Sequence, residues 1–283
     1  MSKIAVTCDC SCDLTEELLQ EYGIERVFSY IRTEEGRFCD FREITALNVF
    51  DYLENGGTAI AESPAVSDLA ELFRRKLAKF DEVIHVSLSA GISKSCKNAM
   101  LAAKQIGAVT RVHVVDSGQL STGTGHVAIR ASQMVRGGHS AADVIRELEL
   151  FKRKVSTSFI LKDLKCLHQN GKVSEKMFRF FKNLNLHPVL HMKNGKFALK
   201  TFYYGNYEKA QIQYIRDEMR HYEKIDTQLA FVTHAGASVK EVEAAVNEVR
   251  KRITFDNLFV TEASATISSN SGPHTIGLLY IEK

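Results

Sequence analysis

The stretch Val86-Ser87-Leu88-Ser89-Ala90-Gly91-Ile92-Ser93-Lys94-Ser95 decides the fold. It is entered from an apolar run, Glu82 to Ser87, that reads as a buried strand. It leads into a helical pattern from Ser93 to Ile106, after which Arg111 to Val115 reads as a second strand. Strand, loop, helix and strand in this order form a βαβ unit, which belongs to a parallel sheet. The alternation extends outward on both sides. Upstream, Lys3 to Thr7 and Glu25 to Ile31 read as strands around a helix that starts near Thr15 and ends at Gly23. Val49 to Leu53 lies in a helix closed by Gly56-Gly57. Pro64 opens another helix, in which Val66, Leu69, Leu72, Phe73, Leu77 and Phe80 share one apolar face. Downstream, Gln119 to Arg136 and Ser140 to Phe151 read as two more helices. Together they predict an N-terminal three-layer α/β domain with a parallel sheet over residues 1–153.

Beyond Lys154 the pattern changes. Val155 to Leu161 reads as a strand, followed by a helical stretch from Lys162 to Gln169. Leu186 to His191 and Lys196 to Tyr203 flank Asn194-Gly195, a strong hairpin signal. A helix from Tyr207 to Tyr222, a strand from Leu229 to Thr233 and a helix carrying Val239, Val242, Val246, Val249 and Ile253 follow. Leu258 to Glu262 and Thr275 to Ile281 close the chain as strands. Hairpins mixed with crossovers predict a C-terminal mixed-sheet α/β domain over residues 154–283.

Composition excludes several functions. The formal net charge of +3 is too small for a nucleic-acid-binding surface. Phe73-Arg74-Arg75-Lys76, Lys152-Arg153-Lys154 and Arg250-Lys251-Arg252 fall late in helical patterns, where cations suit the helix dipole. No apolar run approaches the ~18 residues that read as a membrane span. Met1 to Val6 lacks the apolar core and cleavage site of a signal peptide, so the expected compartment is the cytoplasm, with the six cysteines reduced.

The strand–loop–helix around Ser93 is the first site candidate. Loops at the carboxyl ends of such strands hold ligands in open α/β sheets, and a helix start offers free N–H groups to a carboxylate or phosphate. Ser93 also suits a helix cap, and the two roles are compatible. Gly91-Ile92-Ser93-Lys94-Ser95 is a degenerate nucleophile elbow as well, with Asp256 and His274 as nominal triad partners of a serine hydrolase or esterase. Its second glycine is missing. Gly123-Thr124-Gly125-His126-Val127-Ala128 matches G-x-G-x-x-A, but it does not follow its strand directly. It reads better as small residues that let a helix pack closely. Cys8, Cys10 and Cys12 do not have zinc-site spacing and read as buried thiols. No motif calls for a metal or cofactor.

Asp9 to Leu14, Ala61 to Pro64, Ile92 to Ala99, Val115 to Ser117, Gly171 to Val173, Leu186 to Leu190 and Ser271 to Gly277 are seven collinear stretches, and together they resemble the DegV family, bacterial proteins that bind a long-chain fatty acid. Asp9-Cys10-Ser11-Cys12-Asp13-Leu14 resembles the family's D-S-x-x-D-L, and Ala61-Glu62-Ser63-Pro64 sits where it has T-S-Q-P. Ile92-Ser93-Lys94-Ser95-Cys96-Lys97-Asn98-Ala99 resembles L-S-G-T-Y-Q-x-A. Val115-Asp116-Ser117 with Ser121 and Gly123 resembles I-D-S-x-x-x-S-x-G. Gly171-Lys172-Val173 matches G-R-I, and Leu186-His187-Pro188-Val189-Leu190 resembles I-K-P-I-L. Ser271-Gly272-Pro273 with Ile276-Gly277 resembles the final H-x-G-P-G-x-x-G.

The resemblance implies non-catalytic binding of a long-chain fatty acid in a tunnel between two α/β domains, its carboxylate near the mouth. It implies no cofactor beyond this ligand. Some members serve as the acyl-binding partner of a fatty-acid kinase, and a lipid-responsive regulatory role is the alternative output. Ser93 matches the family's carboxylate-binding serine. The family threonine falls on Ala61, with Ser63 close by, and the final histidine falls on Asn270, with His274 four residues on. An arginine of the second domain falls near Thr201-Phe202-Tyr203, where none exists. The expected ligand-binding set is therefore Ser93, Ala61, Ser63, Asn270 and His274.

Overall fold

A computed structural model describes residues 2–283. In chain order the elements begin with β1 (Ile4–Asp9), α1 (Glu16–Tyr22), β2 (Ile24–Val27), β3 (Tyr30–Arg32), β4 (Arg37–Cys39), α2 (Ala46–Glu54) and β5 (Ile60–Glu62). They continue with α3 (Val66–Leu77), β6 (Glu82–Ser87), α4 (Ser95–Gln105), β7 (Val112–Asp116), α5 (Ser121–Arg136) and α6 (Ala141–Phe151). The remainder is β8 (Val155–Ile160), α7 (Lys165–Gln169), α8 (Glu175–Asn183), β9 (Leu186–Lys193), β10 (Lys196–Tyr204) and α9 (Tyr207–Glu218), then β11 (Ile225–Ala235), α10 (Val239–Arg250), β12 (Asn257–Glu262), α11 (Ala265–Ser271) and β13 (Thr275–Glu282).

The chain forms two compact units. The first holds the stretch up to Tyr30, Glu62–Val155 and Asn194–Lys196; the second holds Ile31–Ala61, Ser156–Lys193 and Phe197–Lys283. The division read from the sequence, 1–153 and 154–283, treats each domain as one continuous stretch, whereas the compact units are built from several.

The first unit contains a parallel sheet in the order β2-β1-β6-β7. Helices α3 and α4 cover one face, where Leu69, Leu72, Phe73, Ala99 and Ala102 pack on Ala5, Val83 and Val112. Alternation turns Val6 to the other face, and α5 lies against β1 and β6. The second unit has a mixed sheet in the order β10-β9-β8-β13-β11-β12, with β11 parallel to β12 and antiparallel to β13. Its core joins Ile160, Val189, Tyr214, Ile215, Val232, Val249 and Leu278. The α/β class and both sheet types agree with the sequence reading.

Details differ. The run expected from Glu25 to Ile31 breaks into β2 and β3 at Phe28-Ser29, where the Ser29 N–H donates to the Cys10 thiol at 3.2 Å. Helix α4 starts at Ser95 rather than Ser93. Helices α8 and α11 and strands β4 and β5 were not anticipated. Helix α8 does carry apolar residues at helical spacing, Met177, Phe178 and Phe181 behind the Ser174 cap, although only Phe181 is buried. Strands β4 and β5 have three residues each, too few to show alternation.

Candidate functional site

Strand β6 ends at Ser87, and the loop 88–94 carries the chain to α4. Backbone bonds fold this loop on itself: the Ile92 and Ser93 N–H groups both donate to the Ser89 carbonyl at 3.1 Å. Asp116 accepts the Ala90 N–H at 3.1 Å. Gly91 is required by close approach, since a Cβ there would lie 2.3 Å from the Gly195 carbonyl oxygen.

Ser93 and Ser63 meet at the start of α4. Their hydroxyl oxygens are 3.0 Å apart. The Ser95 N–H donates to Ser93 Oγ at 3.1 Å, and the Lys94 N–H donates to Ser63 Oγ at 3.2 Å. Two N–H groups that the helix leaves unpaired are thus spent on two hydroxyls. Each hydroxyl accepts a backbone proton and retains its own. Within the pair only one proton can be consumed by the partner, so one O–H remains to donate outward. Both serines are partly exposed. Ser93 does act as a helix-start acceptor, although Lys94 holds the cap position.

A buried polar chain stands behind this pair. The Asp9 carboxylate accepts the Ser95 hydroxyl at 2.7 Å and the Leu88 N–H at 2.8 Å. His85 Nε2 lies 3.4 Å from Asp9, and its Nδ1 lies 3.0 Å from the Thr7 hydroxyl. Thr7, Asp9, His85 and Ser95 are all fully buried. Sequence reading did not assign this cluster a role. A signal was present: Thr7 and Asp9 alternate on one face of an otherwise apolar strand, and Thr7 pairs with His85 in the sheet register.

The remaining site residues read from the sequence belong to the second unit. Ala61 brings no hydrogen-bonding side chain. Asn270 donates to the Thr266 carbonyl at 3.0 Å and accepts from the Asn170 amide at 3.2 Å. His274 Nδ1 lies 3.1 Å from the Glu241 carboxylate. Its backbone carbonyl accepts the Tyr207 hydroxyl at 2.8 Å and the Gln211 amide at 3.0 Å.

Among the described residues the hydrolase alternative finds no base hydrogen-bonded to the Ser93 hydroxyl, whose partners are the Ser63 hydroxyl and the Ser95 N–H. Ser93 also lacks the positive φ of a strained turn, and the loop 88–94 separates it from its strand. Gly123 and Gly125 lie inside α5 rather than in a loop. A Cβ on Gly125 would meet Leu14 at 2.7 Å and the Cys12 carbonyl at 3.0 Å, so that glycine allows close packing of α5.

The cysteines are free and buried. A hydrogen bond to Cys12 and then burial raise the Cys8 thiol well above its usual range. Burial, with Asp116 and Asp9 adding to it, pushes Cys96 up to about 11. Both therefore stay protonated and poorly nucleophilic near neutrality. Among the described residues no group of three or more His, Cys, Asp or Glu could hold a metal ion, and no helix is long and apolar enough to cross a membrane.

The profile of the family described as "Uncharacterised protein, DegV family" matches residues 3–283. A DegV domain-containing protein of Deinococcus radiodurans is 26% identical over 281 residues, covering 97% of each chain. Among solved structures, a Thermus thermophilus DegV family protein described for its fatty acid binding is 26% identical, with a TM-score of 0.89 over 99% of this chain and 100% of that one. A DegV lipid binding protein from Thermotoga maritima shares the fold at 22% identity, with a TM-score of 0.85 over 99% and 98% of the two chains. With a βαβ frame and a family match that runs almost end to end, the chain belongs to the DegV family.

Proposed function

We propose that this protein binds a long-chain fatty acid non-covalently, with the carboxylate held at Ser93 and Ser63 and the acyl chain in an apolar tunnel. The observation that carries this reading is the hydroxyl pair 3.0 Å apart, backed by two N–H groups of the α4 start. A carboxylate has two acceptor oxygens, and two hydroxyls can turn their protons to it while their own oxygens stay satisfied by the backbone. The helix terminus favours the negative charge. The Thermus thermophilus relative, described for its fatty acid binding, supports the same ligand class. Each buried CH₂ contributes about 0.8 kcal/mol, so the chain supplies most of the affinity and the head group sets its direction.

Ala61, Asn270 and His274 complete the proposed ligand-binding set, Ala61 as an apolar wall and the other two as donors that would exchange a present partner for the ligand. The protein acts as a carrier rather than a catalyst, without a further cofactor, in the cytoplasm, where its free thiols remain reduced. Presentation of the carboxylate to a fatty-acid kinase is the output that the family resemblance supports.

Native mass spectrometry of the purified protein tests the reading. An acyl adduct, exchanged on adding oleate or palmitate, is expected. A spectrum of apo mass alone with no exchange overturns it. Ser93→Ala is expected to weaken oleate binding by about 1–3 kcal/mol, the range for a buried polar group left without its partner. A fluorophosphonate probe is expected to leave Ser93 unlabelled, and labelling would revive the hydrolase.

A further inference from the structure

The loop that carries Ser93 is held at both ends by a single side chain. Asp9 is the last residue of β1 and is completely buried. One of its carboxylate oxygens accepts the N–H of Leu88, the first loop residue after β6, at 2.8 Å. The other accepts the hydroxyl of Ser95, the first residue of α4, at 2.7 Å. The carboxylate thus closes the loop 88–94 like the pin of a clasp. Both contacts are charge-assisted, the kind that most strongly fixes geometry in a dry interior.

Ser95 passes this constraint to the head-group site. Its hydroxyl points to Asp9 while its N–H points to Ser93 Oγ at 3.1 Å. That N–H occupies a lone pair of Ser93 and so sets the direction in which the Ser93 proton can point. Loss of the Asp9 contact would release the first turn of α4 and let the Ser93 hydroxyl wander. His85 lies on the other side of Asp9: Nε2 is 3.4 Å away without hydrogen-bonding to it, and Nδ1 lies 3.0 Å from the Thr7 hydroxyl. Phe73 of α3 packs edge-on against the His85 ring, with centroids 5.4 Å apart. Thr7, His85 and Asp9 therefore reach the Ser93 hydroxyl only through Ser95, the one member of the buried cluster that touches it.

We propose that Asp9 is a positioning residue of the fatty-acid carboxylate site, acting through Ser95 to orient the Ser93 hydroxyl. This rests on the head-group reading given above. A purely structural Asp9 would lower stability without caring whether Ser93 is present. A positioning Asp9 loses its influence on binding once the Ser93 hydroxyl is gone.

Oleate affinity is measured for wild type, Ser93→Ala, Ser95→Ala, Asp9→Asn and the double variants Asp9→Asn/Ser93→Ala and Ser95→Ala/Ser93→Ala. Folding of each is followed by circular dichroism. The Asp9→Asn and Ser95→Ala single variants are expected to lose about tenfold in affinity, the scale of one charge-assisted hydrogen bond. In the Ser93→Ala background neither substitution is expected to cost anything further. Additive losses in the double variants, or wild-type affinity in Ser95→Ala, overturn the proposal. If Asp9→Asn fails to fold, the Ser95→Ala cycle decides alone. Wild type without affinity for oleate overturns the head-group reading and this proposal with it; wild type that binds while the Ser95→Ala cycle is additive overturns only the positioning.

Discussion

At the scale of single residues, this protein uses carboxylates to fix backbone. Asp9 closes the loop that carries Ser93. Asp116 accepts the Ala90 N–H in the middle of the same loop and the Gly118 N–H of the loop after β7. Asp40 does the same in the second unit, accepting the N–H groups of Ala265 and Thr266 and the Thr266 hydroxyl at 2.6 Å. Burial pushes the Asp40 carboxyl upward despite those donors. Glu34 shows the opposite shift. Its hydrogen bonds from the Thr58 hydroxyl, then Tyr52 and the backbone, lower it to about 2. A carboxyl held below its unfolded value, ~4.3 for Glu, adds stability above that value and loses it as pH falls through the folded one. Glu34→Gln should therefore flatten the pH dependence of the urea midpoint between about pH 4.3 and 2. Equal slopes for both proteins would show that Glu34 contributes nothing. Ser93 was legible in the sequence from its place at a strand–loop–helix junction. The roles of Asp9, His85 and Thr7 were not, because a polar residue in a strand does not announce which distant hydroxyl it will meet.

At the scale of elements, packing overrides local preference. Helix α5 carries Gly123 and Gly125 in its first turns, where alanine would favour a helix by ~1 kcal/mol each. The side chain of Leu14 and the Cys12 carbonyl occupy the space a Cβ on Gly125 would need. Gly125→Ala should therefore destabilise the protein by about 1–3 kcal/mol, the usual cost of overpacking, in place of the gain propensity predicts. Thermal unfolding followed by circular dichroism reads the sign directly. A raised Tm would mean that α5 can shift away from Leu14. The long helices were legible because their buried faces repeat every three or four residues, as Leu69, Leu72 and Phe73 do in α3. Helix α8 carries the same spacing in Met177, Phe178 and Phe181, but over nine residues only, and its apolar face is not a core face: Phe180 is 54% exposed and only Phe181 is buried.

At the scale of the whole molecule, the chain leaves its first unit and returns. Residues 31–61 belong with the second unit, although they precede most of the first. Ile31, Ile44, Val49, Leu53 and Ala59 join Cys166 and Ala265 in one buried cluster. Ala46 and Phe50 join Ala235 and Ala263 in another. Asp40 caps α11 from the same excursion. A fragment of residues 156–283 alone would expose those partners, and small cores have little stability to spare. Expressed by itself, it should show no cooperative thermal transition and should bind a hydrophobic dye. A sharp two-state transition in that fragment would contradict the shared core.

The sequence by itself determined the class of each sheet, because apolar runs and helical periodicity are local patterns that survive without partners. It also determined the family, because seven weak motifs fall in one order along the chain, and it pointed to Ser93. Only the tertiary structure decided that Ser63 joins Ser93 and that residues 31–61 belong to the second unit. It alone placed a buried aspartate behind the serines. Those facts depend on which distant residues share a volume. Hydrophobic burial chooses that volume for the whole chain at once, and no local pattern records the choice.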